Sequence, residues 1–273
     1  MILYTVIPCY NEEAVINETA SRLRSKYTDL IKSGIIDSDS RILFVNDGSK
    51  DNTWKMISEL HNNDYLFTGI SLSHNRGHQN ALLAGLMTAM KFADAVISMD
   101  ADLQDDIAAI DEMISKYNSG CDIVYGVRSS RKKDSFFKRT TAQSFYKLMS
   151  SMGAETVYNH ADYRLMSKRA LLALSEYKEV NLFLRGIVPM LGFKTDVVYF
   201  ERAERFAGES KYPLKKMISF AIDGITSFSI KPMRFITGLG VTIFMLSIVM
   251  FVYTLIRFFI GVTVIGWSSL IIS

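Results

Sequence analysis

The residues best suited to chemistry are Asp100-Ala101-Asp102-Leu103-Gln104-Asp105. They follow the apolar run Ala95–Met99, so their carboxylates emerge at the end of a strand. Asp100 and Asp102 are one residue apart, and in extended geometry such side chains point the same way. With the Gln104 amide nearby, the set suits a hard divalent cation, Mg²⁺ or Mn²⁺, which takes oxygen ligands and shares them with phosphates. Such an ion would neutralise charge building on a departing nucleoside diphosphate. Solvated aspartates are common in loops; the place directly after a buried strand is what favours the metal.

Two further polar clusters are less specific. Asn46–Thr53, NDGSKDNT, sets Asp47 at a strand end, a glycine for a tight turn, and Ser49 or Asp51 to cap a helix. Asp47 there either serves the junction or accepts hydrogen bonds from a base or ribose. Pro8-Cys9-Tyr10-Asn11-Glu12-Glu13 offers a ring for stacking beside polar groups.

The elements that must position these clusters alternate. Strands are expected at Leu3–Ile7, Arg41–Val45, Phe67–Ser71, Ala95–Met99 and Asp122–Tyr125, with helices over Glu12–Lys32, Asn52–Leu60, Gln79–Met90 and Ile107–Tyr117. Such alternation builds βαβ units and a mostly parallel, Rossmann-like α/β sheet flanked by helices. Ligands bind such sheets outside the carboxyl ends of the strands. All three clusters directly follow strands, so they should converge on one sheet edge.

Hydrophobic residues make up 49% of 273 and the mean hydropathy is +0.14, high for a soluble enzyme. The excess is concentrated. Phe235–Ile256 carries no charge, and after Arg257 none follows to Ser273. About 20 apolar residues cross a hydrocarbon core. The first run is therefore expected to span a membrane, and the second to be a span cut short by the chain end. Met1 runs straight into the strand-like LYTVIP, so no cleavable leader is expected and the domain should stay on the side where it is made. Lys211, Lys215, Lys216, Lys231 and Arg234 favour a cytoplasmic flank, opposed only by Arg257. Upstream, Ser129–Gly153 is basic and aromatic, and Tyr212–Phe228 repeats apolar residues at helical spacing, as a helix would that either lies in the membrane interface or packs on the domain. Cys9 and Cys121 form no disulfide or zinc pattern, and a net charge of +3 does not suggest nucleic acid.

The motifs VIPCYNEE, VNDGSKDNT, LSHNRGHQNALLAGL, MDADLQD, GVRSSR, ADYRLMSK and ERFAGESKYPLKKM occur in this order over nearly the whole chain. In this the chain closely resembles family 2 glycosyltransferases of the GT-A fold, and more narrowly their polyisoprenyl-phosphate branch. The resemblance implies a catalytic domain over 1–210, an interfacial helix over 211–232 and a multi-pass transmembrane region over 233–273. It implies metal-dependent, inverting transfer from a nucleotide-sugar, expected to be UDP-linked, to a polyprenyl phosphate in the cell membrane. A homo-oligomer is compatible with it.

By the same resemblance Pro8, Tyr10, Asn11, Glu12, Asp47, Asp100, Ala101 and Asp102 contact the nucleotide-sugar, while Asp100, Asp102 and Gln104 hold the metal. Asp162 matches the family's proposed catalytic carboxylate. Arg128, Arg131, Arg164, Arg202, Arg205, Ser210 and Lys211 are expected around the phosphates, with Arg164 alternatively orienting Asp162. The chain departs from the family in two places. Asn46 stands where a second acidic residue is frequent, and Asp106-Ile107-Ala108 follows DLQD where prolines are frequent. A processive polysaccharide synthase would carry Q-x-x-R-W, a context that neither Trp54 nor Trp267 provides. An inactive scaffold would not require the acidic and basic clusters to be intact.

Overall fold

The computed structural model describes residues 1–129, 160–177, 184–201 and 231–261. Arg131, Arg202, Arg205, Ser210, Lys211, the 212–228 stretch and the apolar run beyond 261 lie outside them. The chain divides into two units, Met1–Ser227 and Phe228–Ser273.

The first unit is built on a seven-stranded sheet. Its first half follows the alternation expected: β1 (Leu3–Cys9), α1 (Ile16–Lys32), β2 (Arg41–Asn46), α2 (Thr53–Asn63), β3 (Phe67–Ser71), α3 (His78–Ala89), β4 (Ala95–Ser98) and α4 (Ala109–Asn118). Then come β5 (Ile123–Arg128), β6 (His160–Ser167), α5 (Lys168–Ser175), α6 (Leu184–Met190) and β7 (Thr195–Phe200). The strand order is β3-β2-β1-β4-β6-β5-β7.

β1, β2 and β4 are buried almost throughout, as inner parallel strands covered on both faces must be. α1 covers one face through Ile16, Ala20, Leu23, Tyr27 and Leu30, a stripe at helical spacing. α3 lies so close to the sheet that a Cβ on Gly85 would sit 2.3 Å from Val6 and 2.7 Å from Val45. Only glycine fits there.

β1, β2, β3 and β4 pair in parallel, with β4 on the far side of β1 from β2. Strand order therefore reverses between β1 and β4. A crevice opens at such a reversal because the helices on either side depart in opposite directions. Beyond it the sheet is mixed. β6 runs antiparallel to both β4 and β5, and β5 pairs in parallel with β7.

Three element boundaries differ from expectation for local reasons. α1 begins at Ile16 rather than Glu12, because Asn11 takes a left-handed backbone (φ 54°) and the Glu13 carboxylate accepts from the Asn52 amide at 3.0 Å. β4 ends at Ser98 where the acidic segment turns, and α4 waits until Ala109, after Asp106 caps the amide of Ala108 at 2.9 Å. Strands β6 and β7 and helices α5 and α6 were not anticipated.

In the second unit, α7 (Lys231–Phe259) contains Ile236–Phe259, 24 residues of mean hydropathy 2.4, all outside any protein core. At a rise of 1.5 Å per residue this is about 36 Å, enough to cross a bilayer. It is the one helix among the described residues long and apolar enough to do so.

Candidate active site

The first two clusters close against one another. β1 and β2 run in register to Cys9 and Asn46, and the Asp47 amide donates to the Cys9 carbonyl at 2.8 Å. The amides of Asn11 and Glu12 then donate to Ser49 Oγ at 3.0 Å and Thr53 Oγ1 at 2.9 Å, and Asn11 Oδ1 accepts from the Lys50 amide at 2.8 Å. These contacts leave the side chains of Tyr10, Asn11 and Glu12 half-buried at the mouth of the crevice, above a buried Pro8.

Asp47 is 2% exposed, and its carboxylate accepts the amides of Arg76 and Gly77 at 2.6 and 2.9 Å. It thus holds the loop that leads into α3, and a nucleobase would share these oxygens with the loop. Gly48 makes the approach feasible: its φ is 65°, and a Cβ there would lie 2.6 Å from Asn75 N.

The acidic segment does not stay extended after β4. It turns at once, with Leu103 buried in a left-handed conformation (φ 58°). Two anchors fix the turn. Thr19 of α1 donates to the Ala101 carbonyl at 2.9 Å, and Tyr163 of β6 donates to the Asp106 carbonyl at 3.0 Å. Strand parity therefore does not decide where the carboxylates point; these anchors do.

Within the turn the Gln104 backbone N–H donates to Asp102 Oδ1 at 3.2 Å. Asp105 is 3% exposed, and among the described residues its Oδ1 has no hydrogen-bond partner, with Arg128 lying 3.8 Å away. Burial, then the neighbouring Asp100 carboxylate, push the Asp105 carboxyl up to about 7, against the pull of Arg128. Asp100 is likewise raised, by burial and by Asp162 and Asp102, with His78 opposing. Crowded carboxylates with one orphaned buried oxygen fit a divalent cation. Among the described residues, no three His, Cys, Asp or Glu side chains are grouped so that they could hold a metal ion by themselves. A site that shares its ion with substrate phosphates needs no such group.

β6 delivers the remaining side chains. Its register pairs Ser98, the last residue of β4, with Arg164, so Asp162 lies just past the end of β4, near Asp100. Because β6 is antiparallel, its N-terminal residues fall at the carboxyl edge of β4. Ser98 Oγ donates to the Asp162 carbonyl and locks the junction. Asp162 Oδ1 accepts from Arg164 at 2.9 Å and Arg185 Nε at 3.0 Å; Oδ2 accepts from Arg185 at 3.0 Å and Gln79 at 3.4 Å. His78 Nε2 lies 3.4 Å from Asp162 and 3.7 Å from Asp100. Burial alone would raise the Asp162 carboxyl, but Arg185, His78 and Arg164 hold it well below the usual carboxylate range.

Of the residues expected, Asp100, Asp102, Gln104, Asp162, Arg164 and Arg128 thus gather around the ends of β4, β5 and β6. Arg164, 1% exposed, turns to Asp162. His78, Gln79, Asp105 and Arg185 were missed as site residues. A lone arginine in the apolar stretch Asn181–Met190 was the available signal for Arg185.

A model described as glycosyl transferase family 2 matches residues 4–174. The chain belongs to this family. This family 2 glycosyltransferase is 56% identical to the Bacillus subtilis glycosyltransferase YkoT over all of its own length and 81% of that protein. It is 37% identical to the Escherichia coli prophage bactoprenol glucosyl transferase homolog, again over its full length and 87% of the relative. The bactoprenol glucosyl transferase of Shigella phage SfV shares 38%, with the same coverage. Its fold is also that of Mycobacterium tuberculosis glucosyl-3-phosphoglycerate synthase, with a TM-score of 0.52 at 16% identity over 84% of this chain and 80% of the other. A mostly parallel mixed sheet with GT-A-like relatives is therefore the fold of the first unit.

Proposed function

We propose that this glycosyltransferase moves a sugar from a nucleotide-sugar, UDP-linked, to a polyprenyl phosphate at the cytoplasmic face of the cell membrane, giving a lipid-linked sugar for cell-envelope glycans. The observation that carries the donor half is the crowding of Asp100, Asp102 and Asp105 at the strand-order reversal, with one buried oxygen unpartnered. The acceptor half is supported by relatives named for bactoprenol and by the apolar helix α7.

In this reading Tyr10, Asn11, Glu12 and Asp47 bind the nucleotide over Pro8 and Ala101, and the carboxylates of Asp100 and Asp102 with the Gln104 amide hold Mg²⁺ or Mn²⁺. The ion, when bound, stabilises charge on the departing nucleoside diphosphate. The acceptor phosphate is largely ionised near neutral pH and needs little deprotonation. The chain's task is alignment and electrostatic stabilisation of a single inverting displacement. Arg128 faces the site with a 27% exposed side chain and can meet the acceptor phosphate, joined by Arg131, Arg202, Arg205, Ser210 and Lys211. Asp162 acts by orienting the groups around it. The second span and a homo-oligomer belong to the same proposal.

The test incubates membranes carrying the full chain with radiolabelled UDP-hexose or UDP-N-acetylhexosamine and undecaprenyl phosphate, with Mg²⁺ or EDTA. Label should enter an organic-extractable monosaccharide lipid only with the metal. Label retained in water, or built into a polymer, overturns the proposal. Truncation before Met233 should spare UDP binding and reduce transfer to the long-chain acceptor more than to a short, soluble prenyl phosphate.

A further inference from the structure

The cluster around Asp162 has a back and a front. Asp162 and Arg164 form the back, with side chains 6% and 1% exposed. Arg185, His78 and Asp100 form the front, at 33%, 29% and 34%. Five nitrogens from Arg164, Arg185, Gln79 and His78 lie within 3.4 Å of the Asp162 oxygens. A carboxylate offers about four lone-pair sites, so this one is saturated by the chain itself. It is built to hold cations in place.

Arg185 receives most of that hold. Nε and one terminal nitrogen grip both Asp162 oxygens at 3.0 Å, so the plane and direction of its guanidinium are fixed. Its backbone is set by the same residues: it follows Leu184, whose amide donates to Gln79 Oε1 at 3.1 Å, and Gln79 follows His78 at the start of α3. A fixed, part-exposed guanidinium opposite an acidic turn is pre-organised for a phosphate group, whose binding then costs little side-chain freedom.

We infer that Arg185 is a phosphate-receiving cation of the transfer site, flanked by His78, and that Asp162 is its positioning residue. This rests on the glycosyl-transfer reading above. The phosphate is either the acceptor's or the donor's diphosphate.

The test uses the full chain in detergent with Mg²⁺, comparing wild type with Arg185→Gln and Arg185→Lys. UDP binding is followed by titration calorimetry, undecaprenyl phosphate by KM in the transfer assay, and inorganic phosphate by phosphorus NMR line broadening. Arg185→Gln should weaken at least one of these about ten- to a hundredfold. Arg185→Lys, which keeps the charge and loses the fork, should fall between. Loss confined to UDP assigns the donor diphosphate, and loss confined to undecaprenyl phosphate assigns the acceptor. Unchanged affinity for all three, whatever happens to kcat, overturns the inference.

Asp162→Asn should weaken the same probe, and the double variant should lose no more than Arg185→Gln alone. Additive losses would mean that Asp162 acts independently. If Arg185→Gln does not fold, Arg185→Lys decides by the same criterion. If wild type does not glycosylate undecaprenyl phosphate, the functional proposal falls alone, because UDP and inorganic phosphate still report on Arg185.

Discussion

Two buried aspartates are paired with arginines at opposite edges of the same sheet. At the carboxyl edge, Asp162 holds Arg164 and Arg185. At the amino edge, Asp122, just before β5, accepts from Arg169 Nε at 3.1 Å and from Ser167 Oγ at 2.9 Å. An open cleft of about 480 Å³ lies at the amino edge, lined by Asp94, Tyr117, Asp122 and Arg169. Neither a cleft nor an ion pair therefore marks the site by itself.

What separates the two is what stands in front of the pair. Arg169 reaches water with a 70% exposed side chain, and such a pair contributes little. Arg164 is fully enclosed, and in the turn after β4 Asp100 crowds against Asp162, with Asp102 and Asp105 close to it. In a sheet whose first half is parallel, the loops that start helices collect at the carboxyl edge, and the amino edge receives only returning chain.

The largest expected effect tests the crowding. Asp102→Asn should lower kcat about 10²- to 10³-fold, leave the melting temperature near that of wild type, and be mimicked by EDTA. Mg²⁺ or Mn²⁺ should rescue the chelated wild type but not the variant. Full transfer by purified enzyme in EDTA would remove the metal from the comparison.

Next, Asp162→Asn should lower kcat/KM about a hundredfold, a loss that includes the weaker phosphate binding expected once Arg185 is released. It also leaves Arg164 buried with half a partner, so stability should fall by about 3–5 kcal/mol in urea unfolding. Asp122→Asn should leave kcat/KM unaltered and cost a small fraction of that stability. Equal kinetic losses at the two edges would erase the distinction drawn here.

Acid sharpens the contrast. Both carboxyls are held below the ordinary 3.8: burial raises each, and the cations and hydrogen bonds around it outweigh burial. A depressed pKa stabilises the fold above the unfolded value and is lost as pH falls through the folded one. Asp162 is depressed further. The stability gap between wild type and Asp122→Asn should therefore close first as pH drops below 3.8, and the Asp162→Asn gap only in stronger acid.

The smallest effect belongs to Ser167. It caps α5 by accepting the Ala170 amide at 3.1 Å, while donating to Asp122. Ser167→Ala should cost about 1 kcal/mol with unchanged kinetics. A kinetic defect would show that the amino edge communicates with the site.

The half of the sheet from β1 to β4 was legible because its signals are local. Apolar runs of strand length, helical stripes such as Ile16–Leu30, and polar clusters directly after strands each reside within a few neighbouring residues. The acidic segment after β4, the strand–turn–helix junctions at Asn11 and Asp47, and the apolar run of α7 follow from composition and period alone, though the bend within the acidic segment does not.

The other half was decided by pairing across long separations. Nothing in His160–Ser167 announces an antiparallel strand between β4 and β5, because strand partners are chosen by hydrogen bonds over more than 60 residues of sequence. That choice brings Asp162 near Asp100. Arg185 comes from 23 residues further on and Gln79 from 83 residues before, and only the packed core supplies the burial that makes their charges strong. The sequence determined which groups are available and at which strand ends they emerge. The tertiary structure decided which of them share one low-dielectric edge, because desolvation and charge pairing depend on distance in space, to which local periodicity is blind.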